Sequence, residues 1–158
     1  MPVTIDSSWT LKTLGPSTIP GSYNTRWTGG GGPSSIPPHG HYLIVGSSYS
    51  GAAMPDDVFS SAIANEASLV LYANGSAPID AVCYYTKSDP GDFGGDWYTC
   101  AGEPVKNPQD GSTAATIDRS IARKPGYGMG SCTDSNDNAQ DFTVESPSMP
   151  ENTASPPN

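Results

Sequence analysis

The dipeptide Asn74-Gly75 lies between Ser68-Leu69-Val70-Leu71-Tyr72 and Ile79-Asp80-Ala81-Val82-Cys83-Tyr84-Tyr85. Both central positions of a type I′ turn need positive φ, which asparagine and glycine accept with least strain. Two apolar runs joined by such a turn predict an antiparallel hairpin, with a loop slightly longer than a tight turn. Other short strand signals recur along the chain. Trp9-Thr10-Leu11-Lys12 alternates before Gly15-Pro16, and residues 41–45 form an apolar run between Pro37-Pro38 and Gly46. Ile117, Arg119, Ile121 and Arg123 alternate within residues 116–123, and Asp141-Phe142-Thr143-Val144 reads as a last short strand. The only helical pattern, residues 59–69, is diluted by Ser60, Ser61, Asn65 and Ser68 and reads as a loop or a single turn. Short strands, frequent turns and little helix predict an all-β fold, a sandwich in preference to a barrel because the apolar runs are few and short.

The supply of apolar side chains sets the size of the core. Leu, Ile, Val and Phe supply 23 of 158 residues, while Gly and Pro supply 18 and 16. That is too little for more than a thin core, and it excludes a coiled coil, a helical bundle and a collagen. No run of about 20 apolar residues exists, so no membrane insertion by a helix is expected. The formal charge is −9 and nothing concentrates Lys or Arg, which argues against a nucleic-acid partner. The length suits one domain, read as residues 1–147, followed by a Pro/Ser/Asn-rich tail or linker at 148–158 that is expected to be disordered. The first nine residues show no basic patch followed by an apolar stretch, so no signal peptide is visible in them. The abundance of Ser, Thr, Gly, Asn and Pro and the scarcity of Lys nevertheless suit a secreted or cell-surface protein.

Cys83, Cys100 and Cys132 make an odd count, and none forms C-x-x-C. One disulfide plus a free thiol is expected, with three reduced thiols as the alternative. Cys83–Cys100 would close a loop worth about 3 kcal/mol in chain entropy. Cys100–Cys132 is the rival pairing.

Four stretches, in order, resemble the lamin tail domain family. They are Pro2-Val3-Thr4-Ile5-Asp6-Ser7-Ser8-Trp9-Thr10-Leu11, then Ile36-Pro37-Pro38-His39-Gly40-His41-Tyr42-Leu43-Ile44-Val45, then the hairpin of residues 68–82, and finally Ser120-Ile121-Ala122-Arg123-Lys124-Pro125 running on to Asp134-Ser135-Asn136-Asp137-Asn138-Ala139-Gln140-Asp141-Phe142-Thr143. The resemblance spans roughly residues 2–150 and implies an immunoglobulin-like β-sandwich of the prokaryotic, secreted type. It implies a non-catalytic binding or structural module acting in adhesion, tethering or assembly. An accessory domain of a secreted nuclease- or phosphatase-type hydrolase, with the catalytic unit outside this chain, is the alternative. The family usually has two further strands before its Trp segment. Their absence here leads us to expect an N-terminally incomplete sandwich, either clipped from a longer protein or completed by a partner strand. His39 and His41 depart from the small residues usual there.

Candidate sites are few. Asp134, Asn136, Asn138 and Asp141 present oxygen donors at a spacing that could hold Ca²⁺; Ala139 stands where an EF-hand loop has glycine, although Glu145 falls at its twelfth position. Asx-turns are the alternative use of the same side chains. His39 and His41 would share one strand face and could bind Zn²⁺ or Cu²⁺ given a third ligand. The acidic loop of Asp89, Asp92 and Asp96 reads as solvated. Arg123 is expected to pair bidentately with Asp134 or Asp141. Trp9, Arg123, Phe142, Cys83 and Cys100 are assigned structural roles. The sequon Asn74-Gly75-Ser76 falls on the hairpin tip. Gly126-Tyr127-Gly128-Met129-Gly130 lacks the strand-to-helix context of a nucleotide loop. Loops at 20–35 and 86–112, with Trp27, Trp97 and Tyr98, suit a protein or carbohydrate surface ligand, and the same aromatics suit equally a cap on the thin core. No nucleophile stands beside a base in any known motif, so no enzyme activity and no cofactor beyond Ca²⁺ is expected.

Overall fold

The structure, a computed structural model, describes residues 1–15, 23–30, 35–60, 62–75, 77–86, 100–108, 118–126 and 128–157. Asp89, Asp92, Asp96, Trp97, Tyr98, Ile117 and Tyr127 lie outside them. The described residues form strands in several sheets and one four-residue helix, an all-β protein. The strands are β1 (Val3–Thr4), β2 (Thr10–Leu14), β3 (Asn24–Thr28), β4 (Ser35–Ile36), β5 (Ile44–Gly46), β6 (Asp57–Phe59), β7 (Ala67–Ala73), β8 (Ala77–Tyr85), β9 (Val105–Lys106), β10 (Ser120–Arg123) and β11 (Phe142–Glu145), with α1 (Asn138–Asp141) between the last two.

A five-stranded sheet in the order β3-β2-β7-β8-β9 organises the molecule. Its centre is the hairpin. Asn74 and Gly75 have φ of 58° and 80°, and Ala73 pairs with Ala77, so the loop is longer than a two-residue turn. The pairing of β8 with β9 is parallel; the others in this sheet are antiparallel. Three two-stranded ribbons, β1-β4, β5-β6 and β10-β11, surround it. The side chains alternate across the sheet with period two. Ala67, Leu69, Val82 and Tyr84 share one face, and Ile121 and Phe142 of the β10-β11 ribbon pack onto it together with Val105. Leu14, Ser68, Val70 and Cys83 line the opposite face, each fully buried.

Several elements differ from expectation. His39 and His41 do not share a strand face: His39 is exposed in a turn with φ of 59°, and β5 starts only at Ile44. Pro37-Pro38 deprives that stretch of ladder donors, and a Gly40 N–H to Pro37 carbonyl bond closes a turn there. Trp9 is half-buried just before β2, its N–H donating to the Asp6 carbonyl and its carbonyl accepting from Gly29.

The described residues after Pro147 make polar contacts with distant parts of the chain. Thr153 donates its N–H (3.0 Å) and hydroxyl (2.5 Å) to the Asp56 carboxylate. Asn152 donates to the Met54 carbonyl at 2.8 Å, and Glu151 lies 3.5 Å from His41.

Candidate functional site

The chemistry-bearing residues singled out in the sequence converge on the outer edge of β8. Over Ala81–Cys83 that strand has β7 on one side, and β9 reaches only Tyr84 and Tyr85 on the other. The side chain of Asn138 takes the missing strand's place. Its Oδ1 accepts the Cys83 N–H at 2.9 Å and its Nδ2 donates to the Ala81 carbonyl at 3.1 Å. A carboxamide carries the same donor and acceptor as a peptide group, so one side chain satisfies a rung of the ladder. Asn138 is completely buried in doing so.

Helix α1 is positioned to deliver that amide. Asp137 caps it, accepting from the N–H groups of Ala139 and Gln140. The N–H groups of Asn138 and Ala139 donate to the carbonyls of Ala101 and Glu103 at 2.7 and 2.9 Å. Between those carbonyls Gly102 has φ of 62° and passes so close to Asp137 that an added Cβ would lie 2.7 Å from its Cα. Just before them, Cys100 is disulfide-bonded to Cys83, with Cα atoms 5.4 Å apart. Strand β8, the 100–103 segment and α1 are therefore one cross-linked unit. Cys132 is free and exposed.

Arg123 lies on the other side of α1. It stacks over the Phe142 ring, 4.7 Å from the centroid, with its side chain 13% exposed. Its guanidinium divides among three carboxylates, with Nη2 2.6 Å from Asp80 and Nη1 3.4 and 3.7 Å from Asp141 and Asp134. Nη1 also donates to the Thr133 carbonyl at 3.0 Å. The expected fork onto a single carboxylate is thus replaced by a shared cation, and Asp80 joins from β8, 43 residues away in sequence.

The four candidate Ca²⁺ ligands serve different partners. Asp134 accepts the Asn136 N–H, while the Asn138 amide is spent on β8. Asp141, fully buried, accepts from the Ser135 N–H and hydroxyl, the Asp137 N–H and Arg123. In these contacts the Asp134, Asn138 and Asp141 oxygens meet N–H, O–H and guanidinium donors, with Asp134 in an Asx-turn. Among the described residues no group of three or more His, Cys, Asp or Glu is placed to hold a metal ion.

These donors decide the charge state of Asp141. The Ser135 hydroxyl, the backbone N–H groups of Ser135 and Asp137 and the Arg123 charge outweigh burial and hold its pKa below the ordinary 3.8. A carboxyl depressed on folding contributes stability that is complete above its unfolded pKa and is lost as pH falls through the folded one. Asp141→Asn is expected to lower the urea midpoint at pH 7. The gap from wild type should narrow below pH 3.8 as the native carboxyl protonates. A gap that stays constant across a pH series of urea titrations would show that Asp141 contributes no charge-dependent stability.

A second polar focus ties β3 to β6. Trp27, 5% exposed, donates Nε1–H to Asp57 at 2.8 Å and packs against Tyr42 with ring centroids 6.0 Å apart. Burial, then the Asp57 and Asp56 charges, push the Tyr42 hydroxyl up to about 12. Asp56 accepts the Leu43 N–H as well as both Thr153 donors, so it joins β5, β6 and the C-terminal segment. A hydrogen bond to a charged acceptor is worth roughly 1.5–3 kcal/mol, so Trp27→Phe is expected to cost about that much in equilibrium unfolding. Of the two uses expected for Trp27, ligand contact and core cap, its place within β3 and its burial fit the second.

An open groove of about 400 Å³ follows the face under β10-β11, lined by Leu69, Val82, Tyr84, Ile121 and Phe142 with Arg119 beside them. Burial pushes the Tyr84 hydroxyl up to about 12, and that hydroxyl donates to the Ala64 carbonyl at 2.9 Å. No helix among the described residues is long and apolar enough to cross a membrane. Comparison of the chain with family models, curated proteins and solved structures yields no match.

Proposed function

We propose that this chain is a non-catalytic binding or structural module of an extracellular or cell-surface protein, an immunoglobulin-like β-sandwich of lamin-tail type from a bacterium. It acts in adhesion, tethering or assembly and takes a protein or carbohydrate surface as its ligand. The observation that carries the reading is the Cys83–Cys100 bridge, which locks β8 to the segment that buttresses α1. Such a bond is made and kept in an oxidising compartment and is rare in a reducing one. The use of Arg123, Asn138 and Asp141 supports the same reading, because their polar atoms hold strands and turns together. The lamin-tail assignment rests on the four ordered stretches of sequence, and a ribbon lying over one face of a larger sheet is compatible with it.

The test has two parts. Intact mass of the natively produced protein should rise by about 2 Da on reduction, one disulfide being cleaved to two thiols. The purified chain should also be retained by immobilised cell-wall material or extracellular matrix protein. A reduced protein in its native source, or failure to bind any of these surfaces, overturns the reading.

A further inference from the structure

A wide cleft of about 830 Å³ opens between the 48–53 loop and the start of the C-terminal segment, with Asp118 also in its lining. Its walls mix two kinds of surface. Ser48, Ser50 and Ser148 supply hydroxyls, while Tyr49 and Pro150 supply apolar rings. Among the described residues Asp118 is the one charged side chain lining it. Its Oδ1 accepts both the N–H (3.2 Å) and the hydroxyl of Ser148, and its main-chain carbonyl accepts from Ser146 at 3.3 Å. That anchors the carboxylate and leaves Oδ2 as the oxygen for a ligand. Among the described residues the buried Tyr49 hydroxyl meets no hydrogen-bond partner, an arrangement that costs stability. It packs against Gly51, where an added side chain would collide with it, so the cleft takes the Tyr49 ring as lining while the hydroxyl is turned inward.

We propose that this cleft is a subsite for an uncharged carbohydrate, an inference that rests on the binding-module reading and names its ligand class. A sugar presents hydroxyls around its rim and C–H groups on its faces, which matches neutral hydroxyls, one fixed carboxylate and two apolar rings. An anion is disfavoured, because among the described residues no cation lines the cleft and its one charged lining group is a carboxylate, in a chain of charge −9. A site for a metal needs several hard oxygen donors, and one carboxylate does not supply them. The C-terminal segment forms one wall, and Thr153 on Asp56 fixes that wall in place.

The experiment is isothermal titration of the full chain with neutral oligosaccharides of glucose, xylose, mannose and N-acetylglucosamine, in wild type, Asp118→Asn and Tyr49→Phe. Asp118→Asn keeps an acceptor for Ser148 and replaces the other oxygen with a donor. It is expected to weaken binding at least tenfold with little change in thermal midpoint. Tyr49→Phe keeps the apolar ring and removes only the buried, unpartnered hydroxyl, so it is expected to leave binding within about twofold and the midpoint unchanged or raised. Absence of binding by wild type to every oligosaccharide overturns the proposal. Equal binding by wild type and Asp118→Asn also overturns it, placing the glycan elsewhere and leaving the binding-module reading intact. Retention on matrix protein with no oligosaccharide bound likewise removes the cleft but not the module.

Discussion

Asn138→Ala is expected to destabilise the protein by roughly 2–6 kcal/mol, the cost of leaving a buried N–H and a buried C=O without partners at about 1–3 kcal/mol each. The groups are the Cys83 N–H and the Ala81 carbonyl. Urea unfolding followed by tryptophan fluorescence measures it. Asn138→Asp should be no milder at neutral pH. The carboxylate still accepts from Cys83, but its second oxygen then faces the Ala81 carbonyl. A loss below 1 kcal/mol for Asn138→Ala would mean that water reaches the β8 edge and replaces the amide. The effect is large for a single polar side chain because Asn138 and Cys83 are fully buried and the groups are main-chain, so no rotamer change can turn them elsewhere.

Removing the cross-link is expected to cost about 3 kcal/mol, the chain-entropy value for a bridge of this span. The two cysteines are 17 residues apart in sequence. The double variant Cys83→Ala with Cys100→Ala should show it, and reduction of the wild type should move the midpoint the same way. Cys132→Ser, at an exposed position, should stay within about 0.5 kcal/mol of wild type. A double variant as stable as wild type would show that the Asn138 and Ala101 contacts hold the junction without help from the bridge. Because the bridge and the amide act on the same stretch of β8, their effects should not add, and a double-mutant cycle would measure the coupling.

Much of the strand framework was legible because its signals are local. The Asn74-Gly75 turn and its flanking runs announce β7 and β8, and the alternation at residues 9–12 announces β2. Strand β3 was not legible, since Asn24-Thr25-Arg26-Trp27-Thr28 holds one apolar residue and pairs mainly through its backbone. The two- and three-residue strands β1, β4, β6 and β9 are defined by their partners and carry no period to read. The same division holds at the candidate site. An acidic turn beside Arg123 is visible locally, but Asp80 is brought in only by the hairpin's register with the rest of the fold. Asn138 read as a metal donor because an amide oxygen suits Ca²⁺ and a main-chain N–H equally well. Only its burial against β8 tells the two uses apart. The hold of Thr153 on Asp56 links residues 97 positions apart, and nothing in a Pro/Ser/Asn-rich segment announces such a partner.

The amide that closes the β8 edge has a consequence for the chain as it is made. Asn138 follows Cys83 by 55 residues. At a synthesis rate of about 5–20 residues per second, roughly 3–11 s pass after β8 is complete before its last rung can be filled. Throughout that interval the hairpin presents an unpaired N–H and C=O to any neighbouring nascent strand, the geometry that templates wrong pairing. Yield of the folded protein should therefore depend on the speed with which residues 84–138 are translated, and a slow codon stretch there should lower it more than the same stretch placed after residue 145.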